Sequence, residues 1–305
     1  MKKILVFLLV LWLATGCTPA PAQAYSPLEL EPNIALGEVP THTPEPTQTA
    51  TPTLQPLPTT AVLEVSPTPT ALPMPKMVMQ GPGDITCPIL LYHRIAVPQK
   101  ESPYFVTPDE FRAQMQALKD WGYTPILPSQ LVDAIRNGAL LPERPVVISF
   151  DDGDITVYTE AYPIMKELGF VGVNYLVANY INAEGYMSVD QLKELSAAGW
   201  EVGSHTMSHR DLTAPGDTNW QLYQSRVTLE ELLGVEVPTL AYPYGISNEN
   251  VESLARDTYR AAMGLGVYLK QGQRNLYYLW RRPVKLGWDV ETFGSYLPWV
   301  GPIQP

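Results

Sequence analysis

From about residue 85 onward, short apolar runs rich in Val, Ile and Leu alternate with longer stretches whose apolar residues return every three or four positions. The first texture belongs to strands buried on both faces, the second to amphipathic helices. A strand is expected over 88–93. A helix then opens at Thr107-Pro108-Asp109-Glu110, where a capping box coincides with proline at the first helical position. Phe111, Met115 and Leu118 share one face of it, and Gly122 ends it. A short strand over 123–127, weakened by Pro125, leads to a helix over 129–137 ended by Gly138.

The third strand, Val146-Val147-Ile148-Ser149-Phe150-Asp151-Asp152, stops abruptly at two carboxylates, and Gly153 permits a sharp exit. Beyond it the pattern predicts helices over 157–168, 188–198, 219–233, 249–259 and 290–296. Strands are expected between them over 172–178, 200–205, 238–242, 261–264 and 277–286. Strands separated by helices pair in parallel through right-handed crossovers. Seven or eight of them in about 215 residues suit an α/β fold closed or partly closed into a barrel better than a doubly wound sheet. No Gly-x-Gly-x-x-Gly follows the first strand, which disfavours a nucleotide fold.

Residues 1–84 break this pattern. Over 1–16, Lys2 and Lys3 precede an apolar run too short for a comfortable membrane span, as in a bacterial export signal. The run ends in Leu13-Ala14-Thr15-Gly16-Cys17, which resembles the lipobox of bacterial lipoproteins and implies lipid attachment at Cys17; a simple cleaved signal is the alternative. Residues 17–84 are mostly Pro, Thr, Ala and Glu and cannot bury enough apolar surface to fold. The expectation is a disordered tether reaching on the order of 150–190 Å, followed by one domain over 85–300. The protein is expected to be exported, lipid-anchored on the outer face of the bacterial cell membrane or secreted, and monomeric.

Charge and cysteine content narrow the partners. A net charge of −11 without a basic stripe argues against nucleic acid. The two cysteines are Cys17 and Cys87; with Cys17 lipidated no disulfide can form, and Cys87 reads as a small packed residue.

The candidate chemistry comes from the strand ends. Of the four histidines, His42 lies in the tether, while His93, His205 and His209 each end or follow a predicted strand. Parallel strands would bring these three to one rim with Asp151 and Asp152. His205-Thr206-Met207-Ser208-His209 spaces two imidazoles by four, which on a helical turn gives them one face for a metal. A solvated helix start capped by Ser204 is the bland alternative, as a turn of solvated acids is for Asp151 and Asp152. Two histidines and one aspartate make the composition of a catalytic metal site.

Ser149-Phe150-Asp151-Asp152-Gly153 together with Ser204-His205-Thr206-Met207-Ser208-His209 resembles the first two motifs of the polysaccharide deacetylases, the NodB-homology group of carbohydrate esterase family four. The likeness spans roughly residues 85–297 and implies a distorted (β/α) barrel of about seven strands. It implies Asp151 as general base, and Asp152, His205 and His209 as ligands of a divalent metal, usually zinc. Leu240-Ala241-Tyr242-Pro243-Tyr244-Gly245 keeps the Pro-Tyr-Gly of the third motif but has Ala241 where an arginine is expected. Arg281, Arg282 and Arg94 are the candidates to replace it. The family's carboxyl-terminal acid histidine is also missing, since no histidine follows His209. Leu91-Tyr92-His93-Arg94-Ile95 with Ala241-Tyr242-Pro243-Tyr244-Gly245 is similar to exported deacetylases of poly-β-1,6-N-acetylglucosamine, whose motifs are circularly permuted. His93 is then the acid.

The chemistry so implied is hydrolysis of an N-acetyl amide on a polysaccharide, with the oxyanion held by the metal and the backbone N–H of Tyr244. Tyr277, Tyr278, Trp280, Trp288, Trp299, Tyr186 and Trp220 are candidates for sugar stacking, or simply for packing. Competing readings are an O-acetyl carbohydrate esterase, a glycan-binding module without catalysis, a two-carboxylate glycosidase and a structural envelope lipoprotein.

Overall fold

The computed structural model describes residues 75–303 except residue 101. The expected signal, Cys17, His42 and nearly all of the tether lie outside these residues. Among them, seven parallel strands close into a barrel: β1 (Ile89–Tyr92), β2 (Pro145–Asp152), β3 (Val173–Leu176), β4 (Glu201–Ser204), β5 (Thr239–Ala241), β6 (Ala261–Leu265) and β7 (Leu279–Pro283). Closure runs through β1, which pairs with β2 at Ile89↔Val147 and with β7 at Leu90↔Arg282. The helices wrapped outside are α1 (Pro108–Asp120), α2 (Pro128–Asn137), α3 (Tyr162–Leu168), α4 (Val189–Ala197), α5 (Thr218–Leu233), α6 (Glu249–Thr258) and α7 (Val290–Gly294). No described helix is long and apolar enough to cross a membrane.

Side-chain alternation divides each strand between two cores. Leu90, Tyr92, Ile148, Phe150, Leu176, Val202 and Leu240 pack outward with the helices. Ile89, Val147, Val173, Tyr175, Ala241, Met263 and Leu279 fill the barrel and meet Leu131, Val132 and Ile135 of α2, which closes its amino-terminal end. Burial on both faces is why these strands read as unbroken apolar runs. The α1 cap forms as the sequence requires: Thr107 Oγ1 accepts from Glu110 N at 3.2 Å, and Glu110 Oε2 accepts from Thr107 N at 2.9 Å.

Three expectations need correction. The strand expected over 123–127 is reduced to Thr124–Pro125, which pairs with Pro145 and Val146 at the entry of β2 and is no stave of the barrel. Pro125 lacks the N–H that continued pairing would need. The folded part also begins before 85: Met77–Gln80 forms an antiparallel ribbon with Ala139–Pro142. Finally, the helix expected from 157 opens with a π-helical turn over Val157–Ala161 ahead of Tyr162–Leu168.

Candidate active site

Alternation sets which side chains face the barrel mouth. Asp151 is in phase with inward Val147 on β2, and Arg281 with inward Leu279 on β7. His93 continues the inward phase of Ile89 on β1. His205 follows Ser204, and its backbone N–H donates to Leu176 O at 2.8 Å, so it extends β4 by one residue along β3. These residues line one cavity of about 520 Å³ at the carboxyl ends of the strands, together with Asp152, His209 and Tyr244. All six site residues expected in the folded part therefore share one mouth.

Asp151 is buried, 2% exposed. Arg281 grips both its oxygens, Nη1 to Oδ1 at 2.6 Å and Nη2 to Oδ2 at 2.8 Å. The guanidinium is itself buried, 1% exposed, donates through Nε to Gly264 O at 3.3 Å and lies over the Tyr175 ring at 5.2 Å. Burial alone would raise the Asp151 carboxyl, but the charges of Arg281 and His205 and the hydrogen bonds from Arg281 outweigh it and hold it at about 2. The other two arginines are engaged elsewhere. Arg94 pairs with Asp154 at 2.9 Å, and Arg282, one residue out of phase, donates to Val267 O and lies over Tyr296.

Asp152 has φ +74°, a left-handed conformation uncommon outside glycine. Its Oδ1 lies 3.4 Å from His209 Nε2 and 3.7 Å from His205 Nε2. The expected helical turn from His205 to His209 is a non-helical turn, with φ +72° at Thr206 and +57° at His209. It is fastened by Ser204 Oγ accepting from Thr206 N and Thr206 Oγ1 accepting from His209 N. Serine and threonine favour such local side-chain bonds over a helix. The imidazoles still meet, with ring centroids 4.8 Å apart.

Three observations fit this trio to a divalent cation. His205 Nδ1 donates to Ala241 O at 2.7 Å, which fixes the tautomer and leaves the Nε2 lone pair toward the two carboxylates, 3.6 Å from Asp151 Oδ2 and 3.7 Å from Asp152 Oδ1. Burial holds His205 down at about 4 and lowers His209, so both rings are neutral at neutral pH. Asp152 Oδ1 is buried without a hydrogen-bond partner, and burial with the Asp151 charge pushes its carboxyl up to about 6. An orphaned oxygen beside two imidazole nitrogens, all within 4.8 Å of one another, is a ligand set of the two-histidine, one-carboxylate kind.

His93 meets Tyr104 edge to face at 5.0 Å. Burial lowers its imidazole, while Asp151 and Asp152 act in the opposite sense. Tyr244 has φ +60°, and its exposed ring meets His209 at 4.7 Å. Among the aromatic candidates, Tyr277, Tyr278, Trp288 and Trp299 pack against the core, and Tyr186 meets Tyr180 at a tilt, with ring centroids 4.7 Å apart. Tyr104 and Lys285 also line the mouth; no motif marks them in the sequence, because loop conformation alone brings them there. Cys87 is fully buried and burial drives its thiol pKa up, as for a packed residue.

Comparison with known proteins agrees with this geometry. Residues 139–262 match the family described as polysaccharide deacetylase; that span holds β2 to the start of β6 and leaves out His93 and Arg281. The chain is 27% identical to YxkH of Bacillus subtilis, provisionally named a polysaccharide deacetylase, over 69% of this chain and 75% of that protein. It is 26% identical to the poly-β-1,6-N-acetyl-D-glucosamine N-deacetylase of Staphylococcus aureus over 48% of this chain and 56% of the relative, just over half of it. The crystal structure of the polysaccharide deacetylase BC0361 from Bacillus cereus superposes with a TM-score of 0.64 at 27% identity, covering 70% of this chain and 69% of that one. This barrel, with these acids and these histidines on one rim, is built like the polysaccharide deacetylases that residues 139–262 match.

Proposed function

We propose that the protein hydrolyses N-acetyl groups from a poly-N-acetylglucosamine-like polysaccharide at the cell envelope. The observation that carries this reading is Asp151, held ionised by Arg281, on the same rim as the Asp152, His205 and His209 trio. These three would hold a divalent ion, zinc by the likeness to the family. Once bound, the ion would supply Lewis acidity, lowering the pKa of water toward neutrality and polarising the acetyl carbonyl.

The chain's own residues supply the rest. Asp151 accepts the proton of the attacking water, and Arg281 keeps its carboxylate oriented and charged. The Tyr244 backbone N–H stabilises the oxyanion as the carbonyl becomes tetrahedral. His93 donates a proton to the departing amine nitrogen; burial lowers its imidazole overall, and the charges of Asp151 and Asp152 oppose that lowering. The polymer is chosen by likeness to the staphylococcal relative, whose name specifies poly-β-1,6-N-acetyl-D-glucosamine. Export and lipidation at Cys17 would place the reaction outside the cell membrane. The competing glycan-binding module without catalysis would suit a chain lacking the third motif's arginine at Ala241; Arg281 supplies a guanidinium to Asp151 in its place.

The test is acetate release from poly-β-1,6-N-acetylglucosamine by wild type, Asp151→Asn and His93→Ala. Each variant is expected to lose at least about a hundredfold in kcat. Undiminished turnover in Asp151→Asn would overturn the assignment of the base.

A further inference from the structure

Successive barrel strands are joined through at least one helix, except β6 and β7. Their connection carries only the short strand Lys270–Gln271, paired with Ile85–Thr86, and a 3-10 turn at Gln273–Asn275. The helix beyond β7 does not cover the vacancy, since α7 packs on the end of α1, with Phe293 stacked on Trp121. The outward face of β6 and β7 therefore lacks a helix of its own.

Aromatic rings cover it instead. A Cβ on Gly264 would fall 2.4 Å from the Tyr278 ring, and one on Gly266 would fall 2.4 Å from Trp280, so both rings lie directly on bare backbone. Tyr268, 64% exposed, stands against Trp280 with centroids 4.7 Å apart. At the other end Arg256 of α6 lies over Tyr277 at 5.2 Å and pairs with Glu252 at 3.6 Å. Between α6 and the 3-10 turn, Arg256, Tyr277, Tyr278 and Trp280 bound a depression of about 240 Å³ that Arg274 and Asn275 also line; Tyr268 lies outside it and extends the aromatic surface through its contact with Trp280.

We propose that this ledge is a second carbohydrate site, holding a segment of the same polymer away from the reacting residue. It rests on the function proposed above for its choice of polymer. Aromatic rings edged by guanidinium, carboxylate and amide groups suit a pyranose, whose apolar face stacks while its hydroxyls and acetamido groups hydrogen-bond. The site also backs directly onto the catalytic mouth. Leu265 and Arg281, the inward neighbours of Gly264, Gly266 and Trp280, line the mouth, and Tyr278 donates to Gly245 O at 2.6 Å, behind the turn that carries Tyr244. A chain held on the ledge gains effective concentration at the mouth without new contacts there.

The test measures retardation of the protein in gels containing soluble poly-β-1,6-N-acetylglucosamine, in an Asp151→Asn background so that binding is read without turnover. The double variant Tyr268→Ala/Arg274→Ala alters two exposed side chains. It is expected to lose at least about fivefold in apparent affinity for the polymer, near the worth of one lost stacking contact. With Asp151 intact, the same double variant should keep kcat/KM for a β-1,6-linked N-acetylglucosamine dimer within about twofold of wild type, beside a raised KM for polymer. Equal retardation with and without the double substitution, or none in either, overturns the ledge. Reduced retardation supports it even if no acetate is ever released, an outcome that would count against the proposed function alone.

Discussion

Asp151 and Asp152 are adjacent in the chain and opposite in environment. Alternation sends Asp151 into the barrel, where a buried guanidinium holds it at about 2; the left-handed turn at Asp152 leaves an oxygen without a partner and its carboxyl pushed up to about 6. Two carboxyls whose environments drive them apart are suited to different work. A consequence for stability follows from the direction of the Asp151 shift. Its pKa falls on folding from 3.8, so the ionised form stabilises the native state above that value and the contribution disappears as pH falls toward 2. The advantage of wild type over Asp151→Asn in denaturant unfolding should therefore be constant above about pH 5 and shrink by roughly 2 kcal/mol between pH 4 and pH 2. A difference that widens on acidification would contradict the shift.

At the level of elements, the choice between Arg281 and Arg282 is a question of strand phase. Only Arg281 shares the inward phase of Leu279, so Arg281→Ala should strand a buried carboxylate, cost about 3–5 kcal/mol of stability and abolish turnover. Arg282→Ala should stay within about twofold of wild-type kcat/KM, since its partners are Val267 O and the Tyr296 ring outside the barrel. Comparable losses in both variants would contradict the phase assignment. The same phase explains what could be read in advance. The apolar runs and their terminal Asp and His residues were legible because two-sided burial writes itself as unbroken Val, Ile and Leu. The guanidinium was legible only as one of three candidates, because Tyr277-Tyr278-Leu279-Trp280 is apolar on both faces and does not announce its phase. Spacing by four from His205 to His209 suits a helix, but local bonds to Ser204 Oγ and Thr206 Oγ1 fold the segment into a turn and leave no periodicity to read.

For the whole molecule, barrel closure by β1 is what completes the site. It inserts between β7 and β2, so the amino-terminal strand supplies His93 beside acids that come about sixty residues later in the chain. Arg281 likewise arrives from the last strand, and neither residue falls within the span that matches the family. Closure was predictable from strand number; that Thr124–Pro125 would be left outside the ring, and Met77–Gln80 drawn into the fold, was not, because both depend on pairings distant in sequence. The assembled rim gathers two acids, three histidines and one buried arginine around a ligand set that fits a divalent ion. The most direct measurement is acetate release from poly-β-1,6-N-acetylglucosamine before chelation, after it, and after zinc is restored, with Asp152→Ala in parallel. Chelation is expected to remove activity, zinc to return it to wild type, and Asp152→Ala to stay inactive throughout. Acetate release that survives complete metal removal, or that persists in Asp152→Ala, would contradict that expectation.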